Sequence, residues 1–557
     1  MAKKIMTEAK VLVVTGSFLV DHKSTAKSFI VKQFAKFGFD SHQWLEHRIK
    51  TIIAEVVLAG EIKKIFLRKT KEFKDQFNDF FNKKNQNDSP YLTEVILTTL
   101  LEKEQIQCTS ITLDEIFLNQ SLFSDLLEEH EVVFISSTYL KDLGELKSII
   151  KLFKTKHNRL VIGGALAGSI YKYWEGEKDL DILAIGYGEY LVPAIAEWIR
   201  SSFKEIHPPK NGRIVRTQHS IFLFSGVPDT LSLDKLTVPN WALSEVKNNR
   251  KFNLIYYESV RGCPYRCAFC NYPFLFDDTK FRMKSAEKIF EDWKYYINEL
   301  NIEFIVCLDS LFTMPKQRLV KLCNLIIGEN LKIKWTCYAR ADDLCDETVV
   351  LLLKEAGCIQ VQIGIESGDP TILKNMNKKL GIEKNHLALS LCRKHGLTTV
   401  ASIIVGFPGE NKDTIYNTLN FLKKSPPDFI FVAVFSVRIR EVPILSEINR
   451  NKFNLKIIES NQSMSPYWKH ETMDCYEAVH WTSFLVKQLI LNKISLDAAL
   501  FQKEMLYYDS TMREALLDFQ KSAWNGRFIS KIMFKILNFV IDHYLRRDLR
   551  KSDMLRF

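Results

Sequence analysis

Three cysteines within eight residues are the densest group of chemically capable side chains in the chain. They are Cys263, Cys267 and Cys270, in the stretch Glu258-Ser-Val-Arg-Gly-Cys263-Pro-Tyr-Arg-Cys267-Ala-Phe-Cys270-Asn-Tyr-Pro273. Thiolates are the natural ligands of iron–sulfur clusters, and this spacing lets one loop wrap a cluster. With no fourth thiolate nearby, one iron keeps a position open to a cofactor or substrate. A structural zinc ion asks for a fourth Cys or His at short spacing, and residues 271–304 contain neither. The chain has eleven cysteines in 557 residues, too few for a disulfide scaffold. Cys307, Cys323, Cys337, Cys345, Cys358 and Cys392 are scattered through apolar periodic segments and read as packing residues rather than a second cluster.

The elements that must position this loop follow a regular rhythm. Apolar runs at 255–259, 304–308, 333–338, 361–365, 400–405 and 429–435 read as strands. Between them, 286–300, 316–327, 347–356, 384–395 and 414–423 read as helices. Six strand–helix steps in about 180 residues are too few for an eight-stranded barrel, so a partial six-stranded (β/α) barrel is expected over 251–445. Strands at 10–15, 107–113, 132–136, 160–162 and 181–185, with helices at 92–102, 143–154 and 191–200, predict an open parallel sheet with helices on both faces within residues 1–203. Residues 20–90 read as helices and loops inserted in that domain. Pro208-Pro209, Asn211-Gly212 and Pro239-Asn240 mark 204–250 as a linker, and 446–557 reads as a helical C-terminal region. The fold class is thus α/β: an N-terminal open parallel sheet, a partial barrel and helices.

The composition, 46% apolar and 26% charged, is that of a globular protein. A net charge of +11 points toward nucleic acid only if basic residues cluster beside a binding motif. They are spread along the chain instead, so no nucleic-acid partner is expected. The eight Lys or Arg against three Asp in residues 525–557 read as a solvated helix packed on the protein rather than a membrane-surface element. There is no apolar run of 18 residues, hence no membrane span, and no secretory signal pattern at the start. A cytoplasmic location is expected.

The C-x3-C-x2-C motif, with Phe269 before its last cysteine, resembles that of radical S-adenosylmethionine (SAM) enzymes. That resemblance implies a 4Fe-4S cluster on the three thiolates and SAM chelating the open iron. An electron passed from a donor such as flavodoxin or ferredoxin then cleaves SAM to an adenosyl radical. Asp309, in Leu308-Asp-Ser310, is similar to a SAM-contacting position. Arg340, in Tyr338-Ala-Arg340, is similar to an arginine that pairs with the SAM carboxylate. Gly364-Ile-Glu366-Ser367-Gly368 resembles the ribose and methionine contact, which assigns Glu366 and Ser367. Gly406, in Gly406-Phe-Pro-Gly-Glu410, resembles the backbone site near the adenine.

Residues 90–200 resemble the cobalamin-binding domain that precedes many such cores, through Ser136-Ser137-Thr138-Tyr139-Leu140, Gly163-Gly164-Ala165 and Gly186-Tyr-Gly188-Glu189. The Asp-x-His-x-x-Gly motif that supplies a histidine below cobalt elsewhere is missing; Asp21-His22 has neither its spacing nor its glycine. The resemblance implies a cobalamin-dependent methyltransferase acting on an unactivated carbon or phosphorus of a small-molecule substrate. One SAM methylates cobalamin and a second generates the radical that activates substrate. Oxidative cyclisation or rearrangement without methyl transfer stays open, and an iron–sulfur electron carrier or sensor is the reading from another class. Methylthiotransferases bring three further cluster cysteines in the N-terminal domain, where this chain has only Cys108. Trp468-Lys-His470-Glu-Thr-Met473 reads as a packing or capping element before a substrate-pocket one. Replacing Cys263, Cys267 or Cys270 by Ala should abolish the reconstituted cluster's absorbance near about 400 nm. Cys307→Ala and Cys358→Ala should retain it, and loss in either of these pins the cluster elsewhere.

Overall fold

The computed structural model describes residues 9–16, 89–118, 120–140, 143–437, 439–459, 464–501 and 504–524. The segment read as an insertion at 20–90 lies almost wholly outside them, as do Asp21-His22 and the basic end at 525–557.

The first sheet is built from β1 (Val11–Thr15), α1 (Leu92–Lys103), β2 (Cys108–Thr112), α2 (Leu113–Leu118), α3 (Gln120–Glu129), β3 (Val132–Ser136), α4 (Leu143–Phe153), β4 (Arg159–Gly163), α5 (Ala165–Ile170), β5 (Ile182–Ile185), α6 (Gly188–Arg200), β6 (Arg213–Arg216) and β7 (Ile221–Phe224). Strand order among the described residues is β2-β1-β3-β4-β5-β7-β6, parallel except for β6. β1 and β3 are apolar along nearly their whole length because helices cover both faces. Leu12 and Val14 point into a core shared with α4, while Val11 and Val13 point into one shared with α1 and α6. Period-two alternation thus divides one apolar run between two cores. Two differences from the sequence reading bear on the site. α6 begins at Gly188, three residues earlier than expected, so Glu189 stands in its first turn. The sheet also continues into the segment read as linker. Ile221–Phe224 pairs parallel with β5, and Arg213–Arg216, too polar to read as a strand, forms the antiparallel edge. The rest of that segment carries α7 (Trp241–Lys247), whose first turn is capped by the Asn240 side chain accepting from Leu243 N at 3.0 Å.

The second sheet contains all six strands read from the sequence. Its elements are β8 (Leu254–Tyr257), β9 (Val260–Arg261), β10 (Arg282–Met283), α8 (Ala286–Leu300), β11 (Phe304–Cys307), α9 (Lys316–Gly328), β12 (Lys334–Ala339), α10 (Glu347–Glu355), β13 (Cys358–Glu366), α11 (Pro370–Asn375), α12 (Ile382–Lys394), β14 (Thr398–Val405), α13 (Lys412–Lys424) and β15 (Phe429–Val434). Helix starts coincide with capping side chains: Ser285 for α8, Asp346 for α10, Asp369 for α11 and an Asn411–Thr414 capping box for α13. β9 and β10 form a separate antiparallel pair beside the cysteine loop.

The C-terminal region departs from the helical expectation. After α14 (Glu447–Phe453) come β16 (Lys456–Glu459), β17 (Met464–His470) and β18 (Met473–Asp474), a small antiparallel sheet, then α15 (Cys475–Leu491), β19 (Leu496–Asp497) and α16 (Arg513–Trp524). β19 pairs parallel with β15 as a seventh strand, giving the order β19-β15-β14-β13-β12-β11-β8. Two residues are too few to carry a periodicity, so this strand leaves no sequence signal. Among the described residues no helix is long and apolar enough to cross a membrane.

The barrel's helix-facing core centres on Trp335, fully buried, with ring centroids 5.4 Å from Trp293 and 5.2 Å from Phe312. Its Nε1 donates to the Ala356 carbonyl at 2.8 Å. Trp335→Ala should therefore destabilise the core by about 3–5 kcal/mol, read as a lower denaturant midpoint for the C-terminal domain. An unchanged midpoint contradicts this packing.

Candidate active site

The cysteine loop leaves β9 and is shaped by bonds to main-chain atoms. Arg266 donates to the carbonyls of Cys263 at 2.7 Å and Thr279 at 3.1 Å. Ala268 N donates to Met376 O at 2.8 Å, and Ala268 O accepts from Ile444 N at 3.0 Å. Asn377 reaches the Arg266 carbonyl at 2.8 Å. Gly262, at φ 78°, lies so close to Lys280 that a Cβ would stand 2.1 Å from its carbonyl oxygen, so only glycine turns the chain here. Burial raises the thiol of Cys263 and pushes that of Cys270 up to about 12; the neighbouring Cys267 adds to both. Yet among the described residues no three His, Cys, Asp or Glu side chains converge on a single-ion site. Zinc holds its thiolates about 2.3 Å from one centre, whereas a four-iron cubane is a larger body with one thiolate per iron. Three thiols on one loop can supply one thiolate to each of three irons of such a cubane.

Asp309 follows β11 and faces the entry to this loop. One carboxylate oxygen accepts from Ser259 N at 2.6 Å and Val260 N at 2.8 Å, and the other from Ser259 Oγ at 2.5 Å. Burial raises it to about 6 against those three donors. Its bonds therefore fasten β8 to the start of the cysteine loop.

Around the loop lie the ends of β12, β13 and β14. Arg340 donates to Asp342 at 3.0 Å and to the Lys378 carbonyl at 2.9 Å, and its guanidinium sits 3.8 Å from the Tyr265 ring centroid. Glu366 ends β13 at a bulge, with φ 64°, and pairs with Lys378 at 2.8 Å. A non-glycine residue in that region is strained and worth a functional question. Lys378 stands 5.9 Å from the Phe269 ring, and Phe269 packs edge-on against Phe407 at 6.4 Å. Cysteine loop, β13 end and β14 end are thus in contact. Ser367 is fully buried and spends its hydroxyl on Asp369 N and Thr418. Gly406 is wrapped by the C-terminal elements: its N–H donates to Glu410, and its carbonyl accepts from His470 Nε2 at 3.3 Å. Burial pushes Glu410 up to about 8 and His470 down to about 4, so both are neutral near pH 7. Trp468 stacks on His470 and donates to Phe435 O at 2.9 Å, which makes this motif a packing element.

The carboxyl ends of the two sheets face one cavity of about 360 Å³. Ser136, Gly163, Gly164, Gly186, Gly188 and Glu189 line it from the first sheet; Ser137 does not, its hydroxyl being bonded to Gly163 O and Ala167 N. Glu258, Arg261, Gly262, Tyr272 and Leu308 line it from the second. Arg261 joins the walls, meeting Glu189 at 2.5 and 3.3 Å and Glu258 at 2.8 and 3.0 Å. Burial alone would raise Glu189, but the guanidinium outweighs it and holds the carboxyl below its ordinary value. Tyr187 covers the guanidinium at 5.0 Å and donates to Asp278 at 2.6 Å. Sequence reasoning missed Glu258, Arg261, Tyr272 and Lys378. Arg261 and Glu258 had only their nearness to Cys263 as a signal, and Lys378 sits in a polar Asn-Lys-Lys run that reads as surface.

Residues 257–422 match the family described as the Radical SAM superfamily, and the chain contains a radical SAM domain there. Among curated proteins, the chain is 31% identical over 202 residues to an uncharacterized methyltransferase of Pyrococcus horikoshii, covering 36% of this chain and 43% of that protein. It is 24% identical to the anaerobic magnesium-protoporphyrin IX monomethyl ester cyclase of Rubrivivax gelatinosus, covering 59% and 60%. The chain thus spans about half the length of these curated relatives. In fold it is similar to the radical SAM methyltransferase TsrM of Kitasatospora setae, solved with cobalamin and a [4Fe-4S] cluster bound. That similarity has a TM-score of 0.57 at 15% identity, over 79% of this chain and 97% of that one.

Because Glu410 is raised in the folded protein, the stability attached to its protonated form is complete below about pH 4.5. It is lost as pH rises through about 8. Glu410→Gln should therefore lose less thermal stability than the parent as pH rises from about 4.5 to about 8. Parallel pH profiles for the two proteins contradict a protonated Glu410.

Proposed function

We propose that this protein is a cobalamin-dependent radical SAM methyltransferase acting on an unactivated carbon or phosphorus of a small molecule. The observation that carries this reading is the single cavity bounded on one side by the glycine ends of the first sheet and on the other by the residues leading into the cysteine loop. Ligands of open α/β sheets bind beyond the carboxyl ends of the strands. Here one ligand held in that way would lie against the other domain's reactive loop.

The residues suit a corrin with a nucleotide tail. A Cβ at Gly188 would come no nearer than 3.9 Å to Leu100, and one at Gly163 no nearer than 3.5 Å to Ala184 O, so both glycines leave wall space to a ligand. Behind them Leu97, Val192 and Ile195 form an apolar lane between α1 and α6. Among the described residues none of those that line the cavity is a histidine. When bound, cobalamin supplies a methyl carrier and the cluster supplies the electron that cleaves SAM. Cys263, Cys267 and Cys270 would hold the cluster. The ends of β13 and β14 would orient SAM. Ser136, the glycines and Glu189 would bound the corrin, and Leu308, Tyr272 and Glu258 would face the substrate. A flavodoxin- or ferredoxin-type donor would reduce the cluster in a reducing, cytoplasmic setting. The Rubrivivax relative favours a second reading in which the same site catalyses cyclisation without methyl transfer.

The test is reconstitution with hydroxocobalamin after the cluster is rebuilt. The parent should retain cobalamin, and its cob(II)alamin paramagnetic resonance spectrum should lack nitrogen splitting. Gly188→Leu should fold normally and retain little. With substrate in hand, label moving from SAM into product supports methyl transfer, and deoxyadenosine without transferred label supports cyclisation. A parent that retains no cobalamin refutes both.

A further inference from the structure

The inner face of the second sheet is more exposed than its outer face. Trp335, Cys337 and Ala339 of β12, and Val361, Ile363 and Ile365 of β13, belong to the core that the helices cover. Cys307 of β11 and Ile430 of β15 belong to it too. By period-two alternation their chain neighbours point into the barrel. Three of these inward positions carry large apolar side chains that stand open. Leu308 is 39% exposed, Tyr338 37% and Phe431 45%. Apolar surface gathered in this way inside a barrel marks a ligand site rather than packing.

The open part has a floor. Phe304 and Phe429 face inward at the starts of β11 and β15 and are buried under the chain beyond β19. Tyr507 packs on Phe304 at 5.2 Å and Tyr508 on Phe429 at 4.8 Å. Val400 and Phe429 share a small core with Leu496, Phe501 and Leu517. The C-terminal region thus fills the barrel's amino end and stops short of the carboxyl half. That half leads into the cavity shared with the first sheet, which Leu308 also lines.

The wall between floor and rim is neutral. Among the described residues, charged side chains on the inner face of β8 and β11–β15 stand only at the strand ends. Lys334, ion-paired with Glu303 at 2.7 Å, lies at the start of β12, and Glu258 and Glu366 lie at the carboxyl ends. Between them Gln362 and Ser402 form a partly exposed polar pair, with Gln362 Nε2 donating to Ser402 Oγ at 2.9 Å. This bond leaves the amide oxygen as an acceptor and the hydroxyl hydrogen as a donor. A charged group entering here would lose its hydration and meet no counter-charge.

We infer that the part of the substrate reaching the barrel interior is an uncharged, mainly apolar ring system. Leu308, Tyr338 and Phe431 hold its body, and Gln362 with Ser402 meets its one neutral hydrogen-bonding group. This deepens the methyltransferase reading and rests on it for calling the occupant a substrate. Apolar walls with a few placed polar groups are the usual make-up of small-molecule sites.

The test is equilibrium dialysis of the cluster-loaded full chain, with and without hydroxocobalamin, against two probes. One is N-phenylnaphthylamine, a neutral ring compound with a single N–H. The other is anilinonaphthalene sulfonate, the same skeleton carrying a sulfonate. The neutral probe should bind at one site, about tenfold or more tighter than the sulfonate, and hydroxocobalamin should not displace it. Phe431→Asp should weaken it about tenfold or more, Tyr338→Ala about threefold or more and Gln362→Leu about three- to tenfold, with iron content unchanged. Leu351→Asp, similarly exposed but on α10, should change nothing. The inference is overturned if the neutral probe does not bind, if the sulfonate binds as tightly, or if Phe431→Asp and Tyr338→Ala bind like the parent. Displacement by hydroxocobalamin, or an equal loss in Leu351→Asp, overturns it as well. Unchanged affinity in Gln362→Leu removes the polar contact. Cobalamin retention is read separately: a parent that binds the neutral probe as expected but keeps no cobalamin loses the methyltransferase reading and keeps the neutral barrel site.

Discussion

Arg261 holds two carboxylates at once, and they come from different domains. Glu258 belongs to the end of β8 and Glu189 to the first turn of α6. Burying three charges is costly, and the cost is met only when geometry lets a planar guanidinium serve both partners. Tyr187 closes the arrangement from above and is itself anchored through Asp278 to Arg282. Arg261 is two residues from Cys263, so the same contact that fastens the domains fixes how the cysteine loop is presented to the first sheet. The shared cavity follows from that contact.

The loop's other side is controlled by parts of the chain far away in sequence. The β17–β18 hairpin places His470 and Trp468 on Gly406, and Glu410 folds back to the N–H of the same glycine. Both titratable groups are held neutral by burial. Neutral donors and acceptors thus shape this loop without placing a net charge at the end of β14.

Much of this was legible in the sequence where one periodicity ran long enough. All six apolar runs from 255 to 435 became barrel strands. Cys263, Cys267 and Cys270 announced themselves by type and spacing. What stayed hidden had no local signature. β19 is two residues long, and β6 is a polar edge strand. The strands within 456–474 are not legible because apolar and polar residues follow no period-two alternation there. Asp309 and Arg340 were legible as charged residues at strand ends, but their partners were not. Whether a carboxylate faces a ligand or three protein donors is decided by tertiary neighbours, here Ser259 and Val260. Lys378 is the sharpest case: a lysine in a run of polar residues ranks as solvated until the fold places it beneath Phe269.

The bonds that fasten residues 259–270 to the rest of the barrel are made by groups other than the cysteine sulfurs. Asp309 secures the entry, Arg266 ties carbonyls together, and Ala268 is held from both sides by Met376 and Ile444. Small zinc domains are different, because there metal binding and folding are one event. In this protein the bonds from Asp309, Arg266, Met376 and Ile444 order much of the loop as the barrel folds. Assembly of that centre becomes a docking reaction onto a finished surface. Its loss by oxidation leaves a folded apoprotein, so the unit of repair is the cluster and the polypeptide can be reloaded instead of replaced.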